Sequence, residues 1–226
     1  MIRFLLLDID DTLLDFAEQE KDALGKTFTH LGLPLTPEML QRHRQITVEL
    51  WQRHDRGACT RDDVIYGRFR MLFDEFNLQA DPVTVEHTYQ AFLCRGAFPI
   101  AGAKEALARL AQQYAIYGVT NGLVETAVPR LEKAGMMPFF RAVFVSDTIG
   151  AHKPEAEFFH RCFARIPDFD PACAMIIGDN LQTDIRGGLH VGLKTCWFNY
   201  RHQPADPTVR PDHTVTKWSQ VESILL

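Results

Sequence analysis

Asp8 and Asp10 stand two residues apart at the end of an apolar run, Ile2 to Leu7, with Asp11 and Thr12 beside them. On extended backbone, side chains two residues apart leave on the same side, so these two carboxylates face the same space. Two such charges about 4 Å apart repel by roughly 4 kcal/mol at an effective dielectric near 20. A positive group therefore belongs between them, and an oxygen-only donor set favours Mg2+. A turn whose acids cap the following helix would use the same residues, and the stretch by itself leaves both readings open.

Three more polar sets recur down the chain. Thr120-Asn121 follows the run Tyr114 to Val119, Lys153 closes the loop that begins at Ser146, and Asp179 follows Ala174 to Gly178, with Asp184 five residues on. Singly, each has an ordinary reading: a helix cap, a solvated lysine before Pro154, a turn. What they share is position. Each comes after a short apolar run of the kind buried on both faces of a parallel sheet. In open α/β sheets, ligands bind outside the carboxyl ends of the strands.

The elements that must position these residues can be read from pattern. Strands are expected at 2–7, 114–119, 142–145, 174–177 and 194–198, with a sixth at 213–215. Helices are expected at 103–113, 123–134, 155–165, 184–191 and 218–226, the second despite Pro129, which removes a backbone donor. Strands alternating with helices through right-handed crossovers give an α/β fold, a Rossmann-like, doubly wound parallel sheet.

From Asp15 to about Phe98 the period changes. Thr36-Pro37-Glu38 places an N-cap, a proline at the first helical position and an acid in the first turn. Thr60-Arg61-Asp62-Asp63 resembles a capping box, and Asp81-Pro82 repeats the cap-then-proline signal. Helices near 16–32, 37–55, 61–77 and 82–95 follow. The expected organisation is an α/β core of residues 1–15 and 98–226, interrupted after its first strand by a helical module of residues 16–97.

Composition narrows the partners. A net charge of −5 gives no basic footprint for nucleic acid. The five cysteines are odd in number, scattered and without a CxxC pair, which fits reduced thiols in a cytoplasmic protein. The first apolar run is too short for a signal peptide, and no stretch approaches a membrane span.

The ordered set Asp8-Ile9-Asp10-Asp11-Thr12, Thr120-Asn121, Lys153-Pro154 and Gly178-Asp179 with Asp184 resembles the four signature elements of the haloacid dehalogenase (HAD) superfamily of phosphohydrolases. The helical insertion resembles that family's cap, which sits over the phosphate site and selects the substrate. Leu50-Trp51, Gly57, Arg68-Phe69, Asp184 to Gly188 and Thr195 to Asn199 resemble the pyrimidine 5'-nucleotidase branch, although sugar-phosphate phosphatases share several of them.

The resemblance implies roles. Asp8 is the nucleophile that forms an aspartyl-phosphate, and Asp10 is the general acid and base. Mg2+ is held by Asp8, the backbone carbonyl of Asp10 and Asp179, with Asp184 supporting from outside. Thr120, the Asn121 backbone and Lys153 hold the phosphoryl oxygens. Thr12 braces the loop, and Asp11 is structural, as an acid in a helix first turn. The implied substrate is a phosphorylated small molecule, a pyrimidine nucleoside monophosphate first, with a sugar phosphate or phosphoglycolate as alternatives. Trp51, His54, Tyr66, Arg68 and Phe69 are candidates to line the cap.

Three rivals are set aside on residues. Dehalogenases of the superfamily release halide, which needs no proton, and lack a carboxylate at the Asp10 position. Phospho-accepting receiver domains carry the accepting Asp on the third strand and have no inserted helices. A non-catalytic binding member would lack one of the groups named, and none is missing. Oligomeric state, whether monomer or weak dimer, leaves no mark in the sequence.

Overall fold

Phe4, Leu5, Leu6 and Leu7 form β1 (Phe4–Leu7), and all four are buried because successive side chains enter cores on opposite faces of one sheet. Leu5 and Leu7 pack with residues of α5 (Ala103–Leu110), α6 (Val124–Lys133) and α10 (Trp218–Leu225). Phe4 and Leu6 pack on the other face with Phe158, Phe159 and Cys162 of α8 (Ala156–Phe163). The strand is flanked on both sides by β2 (Ala115–Thr120) and β4 (Ala174–Gly178), each parallel to it. With β3 (Ala142–Val145), β5 (Lys194–Phe198) and β6 (His213–Val215) the sheet runs β3-β2-β1-β4-β5-β6, parallel throughout. This is a Rossmann-like, doubly wound sheet. The strand order reverses between β1 and β4, which makes the gap beyond their carboxyl ends the topological switch point.

The computed structural model describes residues 1–226, Asp55 by its backbone alone. Element ends shift by up to three residues from the sequence expectation, and three local differences stand out. β1 begins at Phe4, not Ile2. The loop after β3 opens with one helical turn, α7 (Ser146–Ile149), closed by Gly150 at φ 74°. The stretch expected as a helix over 184–191 is a π-helical turn, Leu181–Ile185, running into α9 (Arg186–His190). Gly188 lets α9 lie on the sheet: a Cβ there would stand 2.4 Å from Ile176 Cγ2. Helix α6 runs through Pro129.

The chain divides into two compact units, residues 1–17 with 97–226, and residues 18–96. The second holds most of α1 (Phe16–His30), with α2 (Pro37–Asp55), α3 (Arg61–Phe76) and α4 (Pro82–Leu93). Thr36, Thr60 and Asp81 cap the last three through their side chains, and Thr60 and Asp63 form a reciprocal box. Phe28, Phe69, Phe73 and Tyr89 fill its interior around a buried Arg68–Glu86 pair. No helix is long and apolar enough to cross a membrane among the described residues.

Candidate active site

Asp8 is the first residue beyond β1, and its backbone N–H still donates to Ile177 O at 3.0 Å, so it leaves the sheet at a fixed height. Its side chain is held twice. Lys153 Nζ donates to Oδ1 at 2.7 Å, and Thr12 Oγ1 donates to Oδ2 at 3.1 Å. Thr12 is fully buried, and its hydroxyl also accepts from Asp179 N at 3.1 Å. It therefore braces the ends of β1 and β4 together, a larger part than steadying the loop around Asp10.

Lys153 is 2% exposed. Its ammonium has three protons, and each has an acceptor: Asp8 Oδ1, Asp184 Oδ1 at 2.6 Å and Val119 O at 2.9 Å. The loop that carries it is clamped by Asn121, whose amide donates to Lys153 O and accepts from Lys153 N, both at 2.9 Å. Thr120 is buried, its Oγ1 accepting from Gly122 N at 3.0 Å. Asp184 Oδ2 accepts from Asn180 N at 3.1 Å. Asp184 lies so close to β4 that a Cβ on Gly178 would meet its Oδ2 at 2.3 Å. Trp197 Nε1 donates to Asp179 O at 2.7 Å and Trp218 Nε1 to Thr12 O at 3.0 Å, so two indoles fix the loops that present the carboxylates.

One carboxylate oxygen from each of Asp8, Asp179 and Asp184 lies within 4.8 Å of the others. Burial, above all, pushes Asp8 up to about 7, with Lys153 pulling it down and Asp184 pushing it up. Burial, then Asp8 and Asp184, holds Asp179 well above the usual carboxylate range. Burial acts against the Lys153 charge, but Asp184 and Asp8 outweigh it and keep the ammonium protonated. If all three carboxylates ionise, Lys153 offsets one charge and leaves two. A buried, oxygen-only cluster with that residual charge fits a divalent hard cation such as Mg2+.

Both raised carboxylates make the cation-free fold pH-dependent. Unfolded, they give up protons near 3.8; folded, they keep them longer. The stability this confers is whole below pH 3.8 and is lost as pH rises through the folded values, about 7 for Asp8. At pH 8 without metal, burial first and the mutual repulsion of the carboxylates second therefore weigh against the folded cluster. Asp179→Asn is expected to raise the metal-free melting temperature by roughly 2–5 °C and, if a divalent cation is held by this cluster, to weaken any rise in melting temperature on adding Mg2+. A fall of similar size in calorimetry at pH 8 would show Asp179 to be a structural residue instead.

Two acids sit apart from this cluster. Asp10 turns its carboxylate to Arg130, Nη1 to Oδ1 at 2.7 Å. Asp11 is not in a helix first turn, because the helix starts only at Phe16. It adopts φ 58° in the preceding turn, and its Oδ1 accepts from Phe16 N, Tyr200 Oη and Arg201 Nη2. Among the helical candidates, Phe69 is fully buried against Phe28, His43, Phe73 and Tyr89 and serves packing. Arg68 is likewise committed to Glu86, at 3.0 and 2.6 Å. Trp51, His54 and Tyr66 remain partly exposed.

Arg130 belongs to no motif. Its one sequence signal is placement: it shares the inward face of α6 with Thr126, Ala127 and Leu131, where a guanidinium needs a partner.

A family model described as haloacid dehalogenase-like hydrolase matches residues 2–192. The HAD-hydrolase YfnB of Bacillus subtilis is 40% identical over 223 residues, covering 99% of this chain and 95% of its own. Its crystal structure, bound to magnesium, superposes with a TM-score of 0.96 over 99% of this chain and 98% of that one. The pyrimidine 5'-nucleotidases PynA of Streptococcus pneumoniae and YjjG of Escherichia coli are 29% and 26% identical, over 97% and 98% of this chain and 93% and 97% of theirs.

Proposed function

This chain belongs to the haloacid dehalogenase-like hydrolase family, and on that premise we propose that it is a Mg2+-dependent phosphomonoesterase acting through an aspartyl-phosphate. Its favoured substrates in this reading are pyrimidine nucleoside 5'-monophosphates. The observation that carries the reading is the meeting of Asp8, Asp179 and Asp184 around Lys153 beyond β1 and β4.

Asp8 attacks phosphorus, and the bond from phosphorus to the substrate oxygen breaks as the Asp8–phosphorus bond forms. Asp10 gives its proton to the departing oxygen, then takes one from the water that hydrolyses the acyl phosphate. Thr120, the Asn121 backbone and Lys153 hold the phosphoryl oxygens, where charge gathers in the transition state. For Lys153 to do so, one of its three present contacts must give way. Asp8, Asp179 and the Asp10 carbonyl, with Asp184 in support, would hold Mg2+, which would supply charge to offset the repulsion between anionic nucleophile and anionic phosphate.

The nucleotide preference is supported by likeness to PynA and YjjG along nearly the whole chain. The test is phosphate release from UMP, dTMP, AMP, phosphoglycolate and hexose phosphates, with Mg2+ and with EDTA. UMP and dTMP are expected to give the highest kcat/KM, and EDTA to remove activity. A sugar phosphate or phosphoglycolate better by tenfold, about 1.4 kcal/mol, would end the nucleotidase reading and leave the phosphatase standing. Full activity in EDTA would end the metal assignment.

A further inference from the structure

We propose that Arg130 is the positioning residue of Asp10, holding the acid–base carboxylate in the one orientation from which it can serve the leaving oxygen. The inference rests on the phosphatase reading above, and it adds a residue outside every signature element.

Arg130 is 1% exposed. A buried guanidinium is strongly unfavourable unless it is paired and its hydrogens are satisfied. The structure fixes it at three points. Nε donates back to Thr126 O at 3.0 Å, the planar head lies over the Phe16 ring with Cζ 5.5 Å from its centroid, and Nη1 donates to Asp10 Oδ1 at 2.7 Å. The first two set the plane and the depth of the fork. The direction of the Nη1 hydrogen is then decided, and with it the place of Asp10 Oδ1.

The other oxygen is placed as a consequence. A Cβ built on Gly122 would stand 3.2 Å from Thr120 Oγ1 and 3.6 Å from Asp10 Oδ2. Asp10 Oδ2 and the Thr120 hydroxyl therefore border the same glycine, beyond the ends of β1 and β2. Asp10 itself is only partly buried, its side chain 28% exposed. An unclamped aspartate with that much freedom would sample other rotamers. Oδ1 remains an acceptor for Arg130 whether or not Oδ2 carries a proton, so one clamp serves both half-reactions. In the first, the Oδ2 proton passes to the oxygen leaving phosphorus; in the second, Oδ2 takes a proton from the attacking water. Arg130 contributes no proton and makes no bond to phosphorus.

A residue that only stiffened α6 would lower all rates alike. A residue that aims a general acid acts according to how badly the leaving group needs a proton. The experiment compares kcat/KM for the best alkyl phosphate of the substrate screen with kcat/KM for p-nitrophenyl phosphate, whose phenolate leaves without one. Because kcat/KM reports the steps through formation of the phosphoenzyme, the later water-activation step drops out. The ratio of the two values also cancels the fraction of chain that is folded.

For Arg130→Met the alkyl phosphate is expected to lose on the order of 30- to 100-fold, given that misaiming by about 1 Å can cost 10²-fold and that general acids contribute about 10²–10⁴-fold. p-Nitrophenyl phosphate is expected to lose about threefold or less, so the ratio falls at least about tenfold. Arg130→Lys keeps the charge and loses the planar fork, and is expected to recover part of the ratio; it carries the test alone if the methionine variant does not fold. Equal losses on both substrates, or no loss on either, overturn the proposal while the phosphatase reading survives. A wild-type chain that turns over neither substrate removes both.

Discussion

Asp8→Asn is expected to remove turnover, a loss on the order of 10⁴-fold or more, from a chain that still folds. An amide is nearly the shape of the carboxylate and a far poorer nucleophile. The surroundings of Asp8 tolerate the exchange. The amide oxygen can still accept from Lys153 Nζ, and the amide nitrogen can turn to Thr12 Oγ1, a hydroxyl that can accept as well as donate. The charge change cuts two ways. The substitution gives up half of the Lys153 ion pairing and relieves repulsion by Asp184. With burial already pushing Asp8 up to about 7, little net change in melting temperature is expected at that pH. Acid quenching after exposure to labelled substrate should trap a phosphorylated wild-type chain and no phosphorylated variant. A variant that released phosphate at more than a small fraction of the wild-type rate would sink the nucleophile assignment.

How far the sequence could reach is clear from which contacts are local. β1 was legible because a run buried on both faces shows no alternation and then stops at carboxylates. The helical caps at Thr36, Thr60 and Asp81 were legible because a cap and its partner lie within three residues. The π-turn at Leu181–Ile185 was not, since the Asp184 side chain within it is held by Lys153, 31 residues away, as well as by Asn180 N. The resemblance gives Asn121 a backbone role, while its side chain clamps the Lys153 loop. Phe69 is a candidate to line the cap by sequence and a core residue in the structure, because an amphipathic helix does not announce which of its aromatics lies deepest. Arg130 was missed for the same reason in reverse: its partner, Asp10, lies 120 positions away.

Lys153→Met is the substitution expected to damage both halves of the protein's behaviour. In the proposed role of phosphate ligand, Lys153 would be worth on the order of 10²–10³ in kcat, the usual loss when one donor to a transition-state oxyanion is removed. As a structural ion, it is buried at 2% exposure between Asp8 and Asp184. Removing one member of a buried charge set costs about 3–5 kcal/mol, because the partners are left uncompensated. In a chain of this size that corresponds to a fall of roughly 6–20 °C in melting temperature. The pH dependence has a definite sign. Lys153 sits above its ordinary value of 10.5, so its own contribution is whole at every pH below that and does not vary between pH 5 and 8. The carboxylates supply the variation. Without the ammonium, Asp8 rises above its present value of about 7 and stays protonated at pH 5, where the missing cation is least felt. The loss of stability relative to wild type should therefore grow from pH 5 to pH 8, and Mg2+ should recover part of it at the upper end by replacing the lost charge. Calorimetry at both pH values, with and without Mg2+, reads this directly. A variant as stable as wild type at pH 8 without metal would mean that the Asp8–Lys153–Asp184 set does not hold the ends of β1 and β4 together. Stability lost equally at both pH values would mean that the aliphatic stem of Lys153, and not its charge, is what the fold needs.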